Sequence, residues 1–193
     1  MDEMREKLAV AEARNRLNNW VAVSVAILSA FMAVTKVKDD NIVQAMLQTK
    51  SDAVDTWNEY QSKKVKQHLA ELGLKQVQAL QVLAPAKGRT VLAEQMRDYQ
   101  ATITRYQEEE EVIKKKARGF EKGYDDLNFR DDQFDLSDAA LSISLALLAV
   151  TSLTSNRRLF AFSWVFAGFG SVMGMAGLLG ISLHPDWLTR LLS

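Results

Sequence analysis

Three apolar stretches, Trp20–Val37, Leu136–Leu153 and Leu159–Leu183, bracket one long, densely charged segment. At about 1.5 Å of rise per helical residue, each is long enough to cross a hydrocarbon core about 30 Å thick, the first two narrowly. Two prolines and nine glycines in the whole chain favour long uninterrupted helices. The expected fold is therefore an all-α membrane protein. It has three transmembrane helices, with a long antiparallel coiled-coil helical hairpin between the first and the second. The segments read as 1–19, N-terminal; 20–37, first span; 38–133, extramembrane hairpin with arms at about 40–83 and 90–130 and a turn at 84–89; 134–155, second span; 159–184, third span; and 185–193, tail.

Composition excludes several functions. The 24 basic and 24 acidic side chains cancel, and they alternate rather than segregate, which disfavours nucleic-acid binding. Mean hydropathy is near neutral only because apolar spans and a charged hairpin offset each other. Without cysteine there is no disulfide, thiolate metal site or thiol nucleophile. Spans and hairpin occupy nearly all of the 193 residues, and no nucleophile, base and orienting group converge, so neither an enzyme nor a cofactor is expected.

The first apolar stretch reads as a retained span. A long mixed-charge segment, Met1–Asn19, precedes it, and Thr35-Lys36-Val37-Lys38 follows where a cleavage site would have small residues. Met4, Leu8 and Ala11 share one side of that segment, which reads either as an interfacial helix or as the solvated start of the span. Arg157 and Arg158 in the short loop, with Arg14 and Arg16, place the N-terminus in the cytoplasm and the hairpin outside, in the periplasm; Arg190 is alone in the tail.

The second arm carries a regular seam. Leu92, Met96, Tyr99, Ile103, Tyr106, Glu110, Ile113, Ala117, Phe120, Tyr124 and Leu127 alternate steps of four and three. The first arm offers a broader stripe of Val43, Leu47, Val54, Trp57, Tyr60, Val65, Leu69, Leu72, Leu80 and Leu83. Between them, Ala84-Pro85-Ala86-Lys87-Gly88-Arg89 stops the helix, with proline breaking it and glycine supplying a turn. Folding back about that turn makes facing residues sum to about 173. The charges agree with this register: Asp55 faces Arg118, Glu59 faces Lys114, Lys63 and Lys64 face Glu110 and Glu109, and Lys75 faces Asp98. Exposed pairs of this kind set register and direction more than stability. Two helices cannot fully cover Trp57, Tyr60, Tyr99, Tyr106, Phe120 and Tyr124, which points to a homo-oligomer or an unknown protein partner at the hairpin.

Two segments carry a family resemblance. Trp57-Asn58-Glu59-Tyr60-Gln61-Ser62-Lys63, continuing through Lys64, Lys66, Gln67, His68 and Leu69, resembles a W-x-x-Y-Q-x-K-x-x-K-x-H-L signature. Arg130-Asp131-Asp132-Gln133-Phe134-Asp135-Leu136 resembles an R-D-D-Q-F-D-L signature just before a span. With the order of spans, the chain resembles the bacterial membrane family catalogued as domain of unknown function 4337. That resemblance implies an inner-membrane location and a span–hairpin–span–span layout, and no activity.

Candidate functional residues are few. Trp57, Tyr60, Gln61, Lys64 and His68 share a helix face that suits a headgroup or acidic ligand but equally a packing face. His68 has no second histidine in helical reach, and His184-Pro185-Asp186-Trp187 reads as a helix stop with an interfacial anchor. In the third span Ser163, Ala167, Gly170, Gly174 and Gly177 form a stripe of small residues suited to close helix packing, with Gly168 and Gly180 nearby. Asp135 and Asp138, followed by Ser142 and Ser152 on the same face, either lie at the interface or form the mouth of a cation path. The function expected first is a homo-oligomeric membrane scaffold or interaction module with a coiled-coil stalk. The alternative is a subunit of an oligomeric ion channel or transporter with a carboxylate-lined mouth.

Overall fold

The computed structural model describes residues 2–181 and 183. Among these there are three helices and no strand: α1 (Asp2–Leu83), α2 (Ala86–Thr154) and α3 (Arg157–Leu179). Each contains a stretch long and apolar enough to cross a membrane. The expected tail 185–193, with Arg190, and the His184-Pro185-Asp186-Trp187 stop lie outside the described residues.

Helix α1 runs unbroken through the N-terminal segment, the first apolar stretch and the first arm. No glycine or proline occurs before Gly73, so nothing local interrupts it. Only Ala84 and Pro85 separate α1 from α2. The Pro85 carbonyl accepts from Gly88 N at 2.9 Å and Arg89 N at 3.3 Å, and Arg89 Nε donates to Ala84 O at 3.0 Å. The turn is thus tighter than the expected 84–89. Gly88 sits inside the first turn of α2 and takes no left-handed conformation, so proline alone makes the break.

Helices α2 and α3 are parted by Ser155, at φ 55°, and Asn156. Asn156 is the N-cap of α3, and its side chain accepts from Arg158 N at 2.9 Å. Helix α3 ends at Leu179, earlier than the expected 184. Gly180 adopts φ 68°, and Ile181 N donates back to Ala176 O at 2.9 Å. This six-to-one bond around a left-handed glycine is a Schellman cap, so the stop is built by glycine ahead of His184-Pro185.

The molecule divides into two units. Unit 1 holds Met1–Ala45 and Asp126–Ser193; unit 2 holds Met46–Asp125. In unit 1 the core is Val21 and Leu28 of α1, Leu141 and Leu148 of α2, and Ala167 of α3, with Val25, Phe31, Met32, Leu145 and Phe160 packed around it. The small-residue stripe of α3 is buried throughout: Ser163, Ala167, Gly170, Gly174 and Gly177. A Cβ on Gly170 would lie 2.9 Å from Leu141 and 3.0 Å from the Ser137 carbonyl oxygen. One on Gly174 would lie 2.7 Å from Ser137 Oγ and 2.9 Å from the Phe31 ring, and one on Gly177 2.9 Å from the Phe134 ring. Both other helices of the same chain therefore supply the stripe's partners. The facing stripe on α2 is Ser137, Leu141, Ser144, Leu148 and Thr151, each fully buried. Ser137 Oγ donates to Gly170 O at 2.8 Å and Ser144 Oγ to Ser163 O at 2.9 Å, bonding the two helices directly. The outward face carries Trp20, Ile27, Val34, Phe162, Val165 and Val172, all at least half exposed. Small and polar groups inside, with large apolar groups outside, is the arrangement that suits a lipid solvent.

In unit 2, segments of α1 and α2 lie against each other. The second-arm seam faces inward, with Glu110, Ile113 and Ala117 buried and Met96, Tyr99, Ile103, Tyr106, Phe120 and Tyr124 half-buried. The first arm differs from expectation. Leu47, Val54, Val65, Leu69, Leu72 and Leu80 are all more than half exposed. Its buried positions are instead Met46, Ala53, Thr56, Gln67, Ala70 and Val77. The physical reason is size. The opposing helix presents large rings, and at one of them glycine makes the room: a Cβ on Gly73 would lie 2.7 Å from the Tyr99 ring.

The α3 stripe yields a direct test. Gly174→Leu drives a branched side chain into Ser137 and Phe31 and lowers stability by about 1–3 kcal/mol or more. Gly168→Leu meets nothing within 4 Å and leaves stability nearly unchanged. Thermal unfolding in detergent checks the pair; equal losses reject a specific contact.

Candidate functional site at the helix ends

The segment Arg130–Asp138 on α2 gathers most of the unusual chemistry in unit 1. Arg130 Nη2 donates to Gly177 O at 3.0 Å. Gln133 is fully buried, and its Nε2 donates to Ile181 O at 2.9 Å and Leu183 O at 2.8 Å. Gly177 O lies in the last turn of α3, where helix geometry leaves acceptors without donors, and Ile181 and Leu183 follow directly after it. Phe134, 2% exposed, fills the space over Gly177. The R-D-D-Q-F part of the signature is thus a set of grips on the C-terminus of α3.

Asp131, the first of the three aspartates of the signature, has a different neighbour. Asp39 of α1 is 4% exposed. Lys36 Nζ holds its Oδ2 at 2.9 Å, while Oδ1 is buried and has no hydrogen-bond partner among the described residues. Asp131 lies within hydrogen-bonding reach of Asp39, and Asp132, Asp135 and Asp138 of α2 and Asp40 of α1 add negative charge nearby. Helix α3 contributes no titratable side chain here, only backbone carbonyls. Burial first, and then the hydrogen bond to Asp39 and the neighbouring carboxylates, push Asp131 up to about 7.

The expected mouth residues divide. Asp135 is exposed and Asp138 half-buried; both lie beside the Asp39–Asp131 pair. Ser142 is exposed and Ser152 half-buried, while the serines that bond between helices are Ser137 and Ser144. Sequence reasoning missed those two and Asp39. The four-three spacing of Ser137, Leu141, Ser144, Leu148 and Thr151 is the signal that finds the serines. Nothing local marks Asp39, whose role depends on a residue 92 positions further along.

In unit 2, Lys63 Nζ bonds Glu109 Oε2 and Lys64 Nζ lies 3.5 Å from Glu110 Oε2, each within one residue of the 173 register. The sequence pairing had Lys63 opposite Glu110 and Lys64 opposite Glu109. Their mutual hydrogen bond raises Lys63 and lowers Glu109 from their ordinary values. Asp55 with Arg118, Glu59 with Lys114, and Lys75 with Asp98 close no ion pair; Lys114 instead approaches Glu111 at 3.7 Å on its own helix. On the aromatic face, Trp57 Nε1 donates to Glu121 Oε1 at 2.9 Å, Tyr60 packs edge-on to Trp57, and Lys64 lies over the Tyr60 ring. Gln61 is exposed, and His68 Nδ1 meets Glu71 Oε2 at 3.1 Å. Among the described residues no cluster of His, Asp or Glu is arranged to hold a metal ion.

Fold and site together define a helical protein with three potential membrane spans, closed by small-residue packing and capped by one acidic-aromatic signature. The family model described as Domain of unknown function (DUF4337) matches residues 17–180, and the chain belongs to that family. No curated protein and no solved structure matches the chain.

Asp131 makes the site sensitive to pH. The folded state keeps this proton at pH values where the unfolded chain has lost it, so stability falls as pH rises from the ordinary 3.8 to about 7 and is level above that. Unfolding midpoints in detergent across that window should show the fall. Asp131→Asn, which holds the neutral form permanently, should flatten it; an unchanged slope rejects the raised Asp131 value.

Proposed function

We propose that this protein is a homo-oligomeric membrane scaffold or interaction module whose unit 2 is a coiled-coil hairpin stalk. One observation carries the reading: the longest apolar stripe of the first arm, Leu47, Val54, Val65, Leu69, Leu72 and Leu80, is turned to the outside of the pair. A helix that spends small residues on its internal partner and leaves leucines and valines outward has a second face to bury. Another copy of the chain presents the same stripe and the same length, which fits a symmetric assembly. The lipid bilayer is the other partner, reached through about 20–37 of α1, 134–154 of α2, and α3. A bacterial inner membrane is the proposed location. Arg14 and Arg157 line one cavity and so share a side; the positive-inside rule puts that side in the cytoplasm and the hairpin in the periplasm.

A second reading, an oligomeric ion channel or transporter subunit, is favoured by the carboxylates Asp39, Asp131, Asp135 and Asp138 gathered at one end of unit 1. The readings part under two measurements. For a scaffold, the detergent-solubilised protein has a mass of several chains, and Leu69→Ser with Leu72→Ser lowers the subunit number without loss of helix. A monomeric parent protein rejects the scaffold. For a channel, reconstituted vesicles pass cations, and Asp135→Asn with Asp138→Asn alters the ion preference; vesicles no leakier than empty ones reject it.

A further inference from the structure

At the opposite end of unit 1 from the carboxylates, α1 and the α2–α3 turn enclose an open cavity of about 410 Å³. Its walls include Arg14 and Leu17 of α1, Thr154 at the end of α2, Ser155 in the turn and Arg157 at the start of α3. No acidic residue lines it, and Glu12, the acid nearest Arg14 in sequence, is not among the wall residues. Among the described residues no carboxylate lies within ion-pair distance of Arg14 or Arg157. Two arginines therefore line one concavity with no acidic partner among the described residues. The left-handed Ser155 and the Asn156 cap fix the turn that carries Arg157, and the positive end of the α3 dipole adds a field of the same sign. Leu153, which also lines the cavity, is 81% exposed, so apolar surface adjoins the charged rim.

We propose that this cavity binds an anionic phosphate group, the phosphodiester headgroup of an acidic phospholipid held between Arg14 and Arg157. Guanidinium groups pair with phosphate oxygens through two parallel hydrogen bonds, which an ammonium does not reproduce. The residues flanking the cavity end or begin the three apolar stretches, which sets it at headgroup depth. The neighbouring Leu153 then meets the glycerol and upper acyl chain rather than water. Basic pockets between spans recognise acidic lipids through the same combination of charge and depth.

The test is native mass spectrometry of the full-length chain in detergent, with phosphatidylglycerol and phosphatidylcholine supplied together. The unmodified protein should retain phosphatidylglycerol about tenfold over phosphatidylcholine. Arg14→Gln with Arg157→Gln should abolish the preference, while Arg97→Gln, in unit 2, leaves it intact. Equal retention of the two lipids by the unmodified protein overturns the proposal, and so does an unchanged preference in the double variant. If the double variant does not fold, the lipid ratio of the unmodified protein still decides, and Arg14→Lys with Arg157→Lys, which keeps the charge but loses the fork, should show a reduced preference. Millimolar inorganic phosphate separates the sources. Displacement of phosphatidylglycerol by phosphate shows that the phosphate group alone is recognised; lipid retained against phosphate shows that glycerol and acyl contacts are required as well.

Discussion

The closeness of α3 to its neighbours governs unit 1. Gly170, Gly174 and Gly177 allow the backbone of α3 to approach until Ser137 bonds Gly170 O and the rings of Phe31 and Phe134 rest where side chains would otherwise stand. In a lipid solvent, burying apolar groups gives helices little reason to associate, so contact at short range and hydrogen bonds from side-chain hydroxyls to backbone carbonyls are what hold them. Ser144 with Ser163 repeats the device further along the helices. The loop cap at Asn156 and the Schellman cap at Gly180 then bring the two ends of α3 to their places.

Much of this was legible in the sequence, because each legible item had a local cause. Apolar length marked the three potential spans, Pro85 marked the break between α1 and α2, and the four-three spacing of Ser163, Ala167, Gly170, Gly174 and Gly177 marked the buried face of α3. What was illegible depended on partners. The hydrophobic stripe of the first arm suggested its packing face, yet the buried positions are Met46, Ala53, Thr56, Gln67, Ala70 and Val77, and the opposing Tyr99 ring occupies the space beside Gly73. The end of α3 was assigned to His184-Pro185 because proline is the stronger local signal, although Gly180 had already turned the chain. Asp39 had no local signature at all; only packing of α1 against α2 brings it to Asp131.

The charged groups fall into three settings with different physics. Lys63 and Lys64 with Glu109 and Glu110 are partly open to water, where screening leaves them a role in alignment. Asp39 is buried and Asp131 half-buried, and loss of water together with the neighbouring carboxylates pushes the Asp131 carboxyl up. Arg14 and Arg157 line a cavity and form no ion pair among the described residues. Composition reports only that these charges sum to zero; their placement separates an alignment device, a proton-holding carboxyl and an arginine-lined cavity.

Gly177 is gripped twice by the same short stretch of α2. Arg130 holds its carbonyl oxygen, and the Phe134 ring covers the flank where a side chain would be. A helix fixed at one carbonyl alone can still roll about its axis, and one fixed by a flat contact alone can still slide. Held by both, the last turn of α3 is denied rotation and translation together. The consequence is a mechanical one. Any roll or slide of the last turn of α3 must therefore carry the five residues Arg130–Phe134 of α2 with it, so the two helix segments move as one piece.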